Sequence, residues 1–216
     1  MCHCGVLADC RRDTDSMLYI DYSEGRIGMT LVSPHGIWRG NGFAGEVGHV
    51  VMDSKGPLCA CGARGCLESE AGARALESNA AALLAKDVRS VLRGKIPLSV
   101  MDIFRAARDG DRFARTVIHN VIQNLSFSVA IVVTMLHPRF VVVGAETEEI
   151  IGFLADDIRQ VINARVPTEI SATVEVIAGR PTIPLGLIGA GLMMFEQVIH
   201  SGGKRKNPAI KKEVAY

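Results

Sequence analysis

The chain has 216 residues, of which 48% are apolar and 22% charged, with a net charge of +1. That is enough to bury a core in one medium domain or two small ones, and it excludes a disordered chain and a long-range pull toward nucleic acid or anionic lipid. No segment reads as a signal peptide, and the longest apolar runs are interrupted by polar residues and are expected to fall short of a membrane span. Six cysteines without an export signal point to a reducing cytoplasm, where metal binding outranks disulfides.

Residues 1–17, MCHCGVLADCRRDTDSM, carry no periodicity and are read as an irregular segment. After them MLYIDY, IGMTLV and GIWRG predict three short strands in a meander, separated by Gly and Pro turns. A glycine-rich loop follows. The alanine- and leucine-rich stretch 67–92 predicts a helix, and SVMDIFRAARDGD predicts another, with Ser99 as N-cap and Gly110 at its end. In the stretch 112–138, Phe113, Val117, Val121, Leu125, Val129, Val132 and Leu136 recur at helical spacing, and Pro138 stops the helix. Ile118, Ile122, Phe127 and Ile131 lie off that stripe, so the helix is apolar over a wide arc. Such a helix is buried either inside the monomer or against a second chain. RFVVVGA is a continuous apolar strand, as in a sheet covered on both faces. The stretch 148–166 is an amphipathic helix, ATVEVIAG a strand, and 184–200 a last buried helix. The tail 201–216 is polar and basic, and is read as a solvated end and not as a nucleic-acid contact. Helix, strand, helix, strand, helix after a front meander implies an α/β layer fold with a mixed sheet, of the actin-like or ribonuclease-H-like kind.

The segment GEVGHVVMDSKGPLCACGARGCLESEAG places His49, Cys59, Cys61 and Cys66 close together in sequence, with Glu46 and Glu68 on either side. Three thiolates and an imidazole are the donor set of a tetrahedral zinc site. Gly62 and Gly65 let the Cys61–Cys66 turn bend enough for both sulfurs to meet one ion. Four protein ligands leave no open position, so the ion is structural. The competing reading, ordinary buried cysteines, lacks side-chain bulk nearby to bury them. A second group, Cys2, His3, Cys4 and Cys10, is awkward as a tetrahedral set, because Cys-His-Cys runs in direct succession.

The stretch GFAGEVGHVVMDSKGPLCACGARGCLE resembles the signature of the ROK family of repressors, open reading frames and kinases, which reads Glu-x-Gly-His followed by Cys-x-Cys-Gly-x-x-Gly-Cys-x-Glu. LHPRFVVVGA and LGLIGAGLMM resemble the family's later strand turn and last helix, so the resemblance runs over about residues 18–200. It implies the family's C-terminal lobe, with Glu46, His49 and Glu68 contacting sugar hydroxyls while His49 also ligates zinc. Carboxylates only accept hydrogen bonds and so match hydroxyl donors. It implies a sugar or sugar phosphate effector and a homodimer.

The sequence departs from the family's kinases in ways that bear on ATP. The Asp-x-Gly phosphate motif and the Asn-Asp pair that carries the general base are not found, and Asp9 is not promoted to that role. Where family kinases carry Gly-Thr-Gly-Ile-Gly-Ala-Gly, this chain reads SEGRIGMT and keeps only Gly25 and Gly28, while Glu24 adds charge and Arg26, Met29 and Thr30 add bulk. The later turn reads Gly144-Ala145-Glu146. No catalytic residue is assigned and ATP is not expected. The expectation is the effector-binding and dimerising domain of a transcriptional regulator, with DNA reached only through a module outside this chain and no membrane contact. The alternative is the C-terminal lobe of an ATP-dependent sugar kinase of the glucokinase or N-acetylhexosamine kinase type.

Overall fold

The computed structural model of the protein describes residues 16–23, 26–33, 36–38, 40–41, 43–86 and 88–181. The front group Cys2, His3, Cys4 and Cys10, Asp9, the hairpin residues Glu24 and Gly25, the helix expected at 184–200 and the basic tail lie outside the described residues.

Among the described residues, five strands form one sheet: β1 (Met17–Ser23), β2 (Arg26–Ser33), β3 (Gly36–Ile37), β4 (Phe140–Ala145) and β5 (Glu175–Ala178), in the order β3-β2-β1-β4-β5. The meander is antiparallel, with Ile20 opposite Met29 and Val32 opposite Ile37. β4 lies parallel to β1, with Ile20 beside Val143, and β5 lies parallel to β4. The third strand is shorter than GIWRG suggests, only two residues long, although Trp38 N–H still donates to the Leu31 carbonyl at 2.9 Å.

β1 explains why MLYIDYS does not alternate apolar with polar. Leu18, Ile20 and Tyr22 enter the main core on one face, while Met17 and Tyr19 join Val142 in a smaller cluster on the other. A strand covered on both faces carries apolar residues at successive positions.

The main core is closed by helices. α1 (Leu67–Ala71) and α2 (Ala73–Leu84) replace the single helix expected over 67–92. Gly72, extended at φ −72° and ψ 169°, breaks the run and begins the second helix. After Leu84 the chain leaves the helix, and the Asp111 carboxylate holds the following loop through Ser90 Oγ (2.9 Å) and Val91 N–H (2.8 Å). α3 (Val100–Arg108) starts at the expected Ser99, in a full capping box: Asp102 N–H donates to Ser99 Oγ and Ser99 N–H donates to the Asp102 carboxylate.

α4 (Arg112–Leu136) is the central helix, ending at His137 in the left-handed conformation (φ 44°), just before Pro138. Val117, Val121, Leu125 and Val129 are buried as the stripe predicts, and so are Ile118 and Ile122. Phe127 and Ile131 are 42% and 45% exposed. α5 (Glu148–Arg165) packs along α4, and its Asp157 accepts hydrogen bonds from Gln123 Nε2 (3.0 Å) and Ser126 Oγ (3.1 Å). A short α6 (Thr168–Ser171), unmarked in the sequence pattern, leads to β5. One expectation is corrected here. Among the described residues, α4 is long and apolar enough by length and composition to cross a membrane, yet more than half of its apolar stretch is buried within the protein. The apolar residues that this helix contributes to the main core, between the helices it packs against, account for that composition.

Candidate metal centre and adjoining cleft

Local hydrogen bonds shape the glycine-rich loop. Glu46 precedes a 3-10 turn, Val47–His49, which ends with His49 exposed. Val51 pairs with Cys66 and Leu58 with Arg64 in isolated bridges, and Leu67 N–H donates to the Val50 carbonyl at 2.8 Å. These contacts turn the loop back on itself and deliver Cys66 to the first position before α1. Gly62 and Gly65 have positive φ, 93° and 68°, and a Cβ on Gly65 would collide with the Asp53 carbonyl. Only glycine takes both the left-handed turn and that close approach without strain. The bend expected from these two glycines is therefore real.

The loop brings His49, Cys59, Cys61 and Cys66 together, with one donor atom from each lying within 4.8 Å of all the others. Cys61 Sγ is 3.6 Å from Cys66 Sγ, and Cys59 Sγ is 3.6 Å from His49 Nδ1. Two sulfurs on a tetrahedral zinc, each at 2.3 Å, stand about 3.8 Å apart, and a sulfur and an imidazole nitrogen about 3.6 Å apart. These two separations are close to those of a tetrahedral zinc, and the thiols are free, not bridged. Cys59 and Cys66 are buried while Cys61 is exposed. Burial, followed by the neighbouring Cys61 and Cys59 thiols, pushes the Cys66 thiol up to about 12. The Ala63 N–H, followed by the Cys59 and Cys66 thiols, holds Cys61 below the ordinary thiol value. A divalent cation would reverse the first effect, since a coordinating thiol is deprotonated.

Glu46, His49, Cys61 and Glu68 also line one cleft of about 360 Å³. Glu68, in the first turn of α1, accepts a hydrogen bond from the Ile27 N–H at 3.3 Å, which fixes its carboxylate against β2. Glu46 and His49 are exposed. The structure adds three residues that the sequence reading did not nominate, Asp21, Ser23 and Arg26, all on the same cleft. Ser23 Oγ donates to Asp21 Oδ1 at 2.7 Å. One signal for Asp21 was present in the sequence: it is a charged residue inside an otherwise apolar strand. Of the altered glycine loop, Gly28 lines the cleft too, with Arg26 two residues before it at the start of β2. Three carboxylates around one hollow can accept hydrogen bonds from a ligand rich in hydroxyls.

The family model described as ROK family matches residues 6–197. The chain is 31% identical over 163 residues to a glucokinase of Thermotoga maritima, covering 73% of this chain and 51% of that protein. It is 31% identical over 157 residues to a putative xylose repressor of Caldicellulosiruptor sp., covering 71% of this chain and 39% of that protein. The chain therefore spans about half, or less, of the length of these curated relatives. Among solved structures, a ROK family transcriptional regulator, homologous to the Escherichia coli MLC protein, superposes with a TM-score of 0.76 at 25% identity, over 92% of this chain and 52% of that one. A ROK hexokinase from Thermus thermophilus superposes with a TM-score of 0.69 at 26% identity, over 92% of this chain and 64% of that one. The mixed sheet with flanking helices is the actin-like lobe that these proteins share.

Proposed function

The chain belongs to the ROK family, and from that premise we propose that it is the carbohydrate-effector-binding and dimerising domain of a ROK transcriptional regulator, with residues 18–200 as its lobe. In this reading a structural zinc is held by His49, Cys59, Cys61 and Cys66, and Glu46, His49 and Glu68 orient sugar hydroxyls. The observation that carries it is the meeting of metal donors and carboxylates on one cleft: Glu46 lies three residues before His49, and Glu68 two after Cys66, so fixing the ion fixes both acceptors. No open coordination position remains for chemistry on the ion.

Relatives include both regulators and glucokinases. The regulator reading is favoured by the phosphate-loop position. β2 opens with Arg26 and carries Met29 and Thr30 where backbone amides would have to approach a phosphate closely, and Glu146 follows directly on β4. DNA contact then belongs to a module outside this chain, the effector is a sugar or sugar phosphate, and the working compartment is the cytoplasm. Two measurements on one preparation test it. Titration with glucose, xylose and N-acetylglucosamine should give binding that Glu46→Ala abolishes, and a coupled assay with ATP and the same sugars should stay at background. Turnover that is lost on changing a residue of this chain would replace this reading with the kinase one.

A further inference from the structure

A second cleft, of about 490 Å³, adjoins the first. Ala60 and Glu68 line both, and the metal loop runs from one to the other, Pro57 to Ala60 walling the second and Ala60 with Cys61 the first. Its remaining wall comes from α1 and from Arg74, Ser78 and Asn79 on α2. The chemistry of that wall suits a neutral polyol. Ser78 and Asn79 are exposed, and among the described residues neither side chain has a hydrogen-bond partner. An amide offers donors and an acceptor together, and a hydroxyl takes either role, which fits a pair of neighbouring hydroxyls. Glu68 and Glu70 offset the single cation Arg74, so the wall gives no net attraction to an anion. Leu58, 65% exposed at the same cleft, supplies an apolar surface for the C–H face of a ring.

Each cleft alone reaches the lower part of the range of about 300–1,000 Å³ usual for a small-molecule site. One sugar ring in the first leaves the second empty. We propose that the two clefts are consecutive subsites for a neutral disaccharide, with the Glu68 carboxylate at the junction and Ser78 and Asn79 reading the second ring. This rests on the sugar-binding reading above, because the first ring occupies the cleft of Glu46 and Glu68.

The test is an NMR titration of the 216-residue chain with glucose, xylose and N-acetylglucosamine, and in parallel with cellobiose, maltose, xylobiose and diacetylchitobiose. At least one disaccharide should bind about tenfold more tightly than its own monosaccharide, the gain expected from one or two added hydrogen bonds. The double variant Ser78→Ala, Asn79→Ala, with helix content checked by circular dichroism, should lose that gain and keep monosaccharide affinity. Equal affinity for one and two rings, or a gain that survives in the double variant, overturns the second subsite while leaving the sugar-binding reading intact. No binding of any sugar overturns both.

Discussion

Of the four candidate metal donors, Cys59 and Cys66 are buried and Cys61 and His49 exposed, so the cluster has one side in the protein and the other on the cleft. Removing a buried ligand both weakens the ion and leaves a cavity, which makes Cys59 the most informative single change. The native protein is expected to carry one zinc per chain by elemental analysis. At a free metal concentration a thousandfold above Kd, ligand linkage contributes about 4 kcal/mol. For a domain of this size that corresponds to about 8–16 °C in Tm. Chelation, or Cys59→Ala, should lower Tm by that order in a thermal scan, and an unchanged Tm in the zinc-free protein would show that the loop holds its shape through its own hydrogen bonds. That these four donors would meet was legible in the sequence, because soft donors at short spacing, with glycines between, leave few other uses. Asp21 stood out only as a charge in an apolar strand, because its place on the cleft depends on a hairpin and a loop meeting.

At the scale of elements, the start of α3 gives a sharp case. The Lys95 ammonium (2.7 Å) first, and then Ser99, hold the Asp102 carboxyl below the usual carboxylate range. A carboxylate with a depressed folded value adds stability that is present above its unfolded value, about 3.9, and is lost as pH falls through the folded value. Asp102→Ala removes the acceptor of the Ser99 N–H and of the Lys95 ammonium, and should cost about 0.5–1.5 kcal/mol at pH 7. In urea unfolding the gap between wild type and variant should narrow below about pH 4, and a gap that does not depend on pH would mean that the ionised form contributes nothing. Ser99 was readable as an N-cap because the device is local. The break at Gly72 was not, since alanine and leucine continue on its far side and their propensity favours an unbroken helix. That break turns α2 so that Leu76 and Ala80 reach the core while Ser78 and Asn79 face the second cleft.

Over the whole molecule, α4 leaves Phe127, Ile131 and Met135 exposed at four-residue spacing, the last by 75%. Residues four apart share a helix face, so these form one apolar row. In the proposed dimeric regulator domain this row is the surface available to a second chain. Light scattering at micromolar concentration should give a dimer mass, and Ile131→Glu should return a monomer with unchanged circular dichroism. A monomer mass for the unaltered chain would remove this row as an interface. Sugar affinity also belongs to this scale. The carboxylates stand on a cleft where Glu46 and His49 are exposed, so each hydrogen bond to a sugar competes with water and nets only about 0.5–1.5 kcal/mol. The 216-residue chain is therefore expected to bind monosaccharides at about millimolar Kd in calorimetry, or more weakly. Micromolar binding would mean that the cleft closes over its ligand.

The amino-acid sequence by itself determined the clustering of His49, Cys59, Cys61 and Cys66, the central helix with its stop at Pro138, the cap at Ser99 and, among the described residues, the helix–strand–helix–strand order that begins with the central helix. Each of these is written in spacing within a few turns of chain, where covalent geometry fixes which residues meet. Tertiary structure decided what no local spacing contains. Periodicity placed Ile118, Ile122, Phe127 and Ile131 around one helix, but only packing in the fold buried the first two and left the others exposed. The cleft likewise exists because the Ile27 N–H and the Glu68 carboxylate, 41 residues apart, meet across the edge of the sheet. A contact of that length is set by the free energy of the whole fold, and it is what puts Asp21 and Arg26 beside Glu46 and the metal loop.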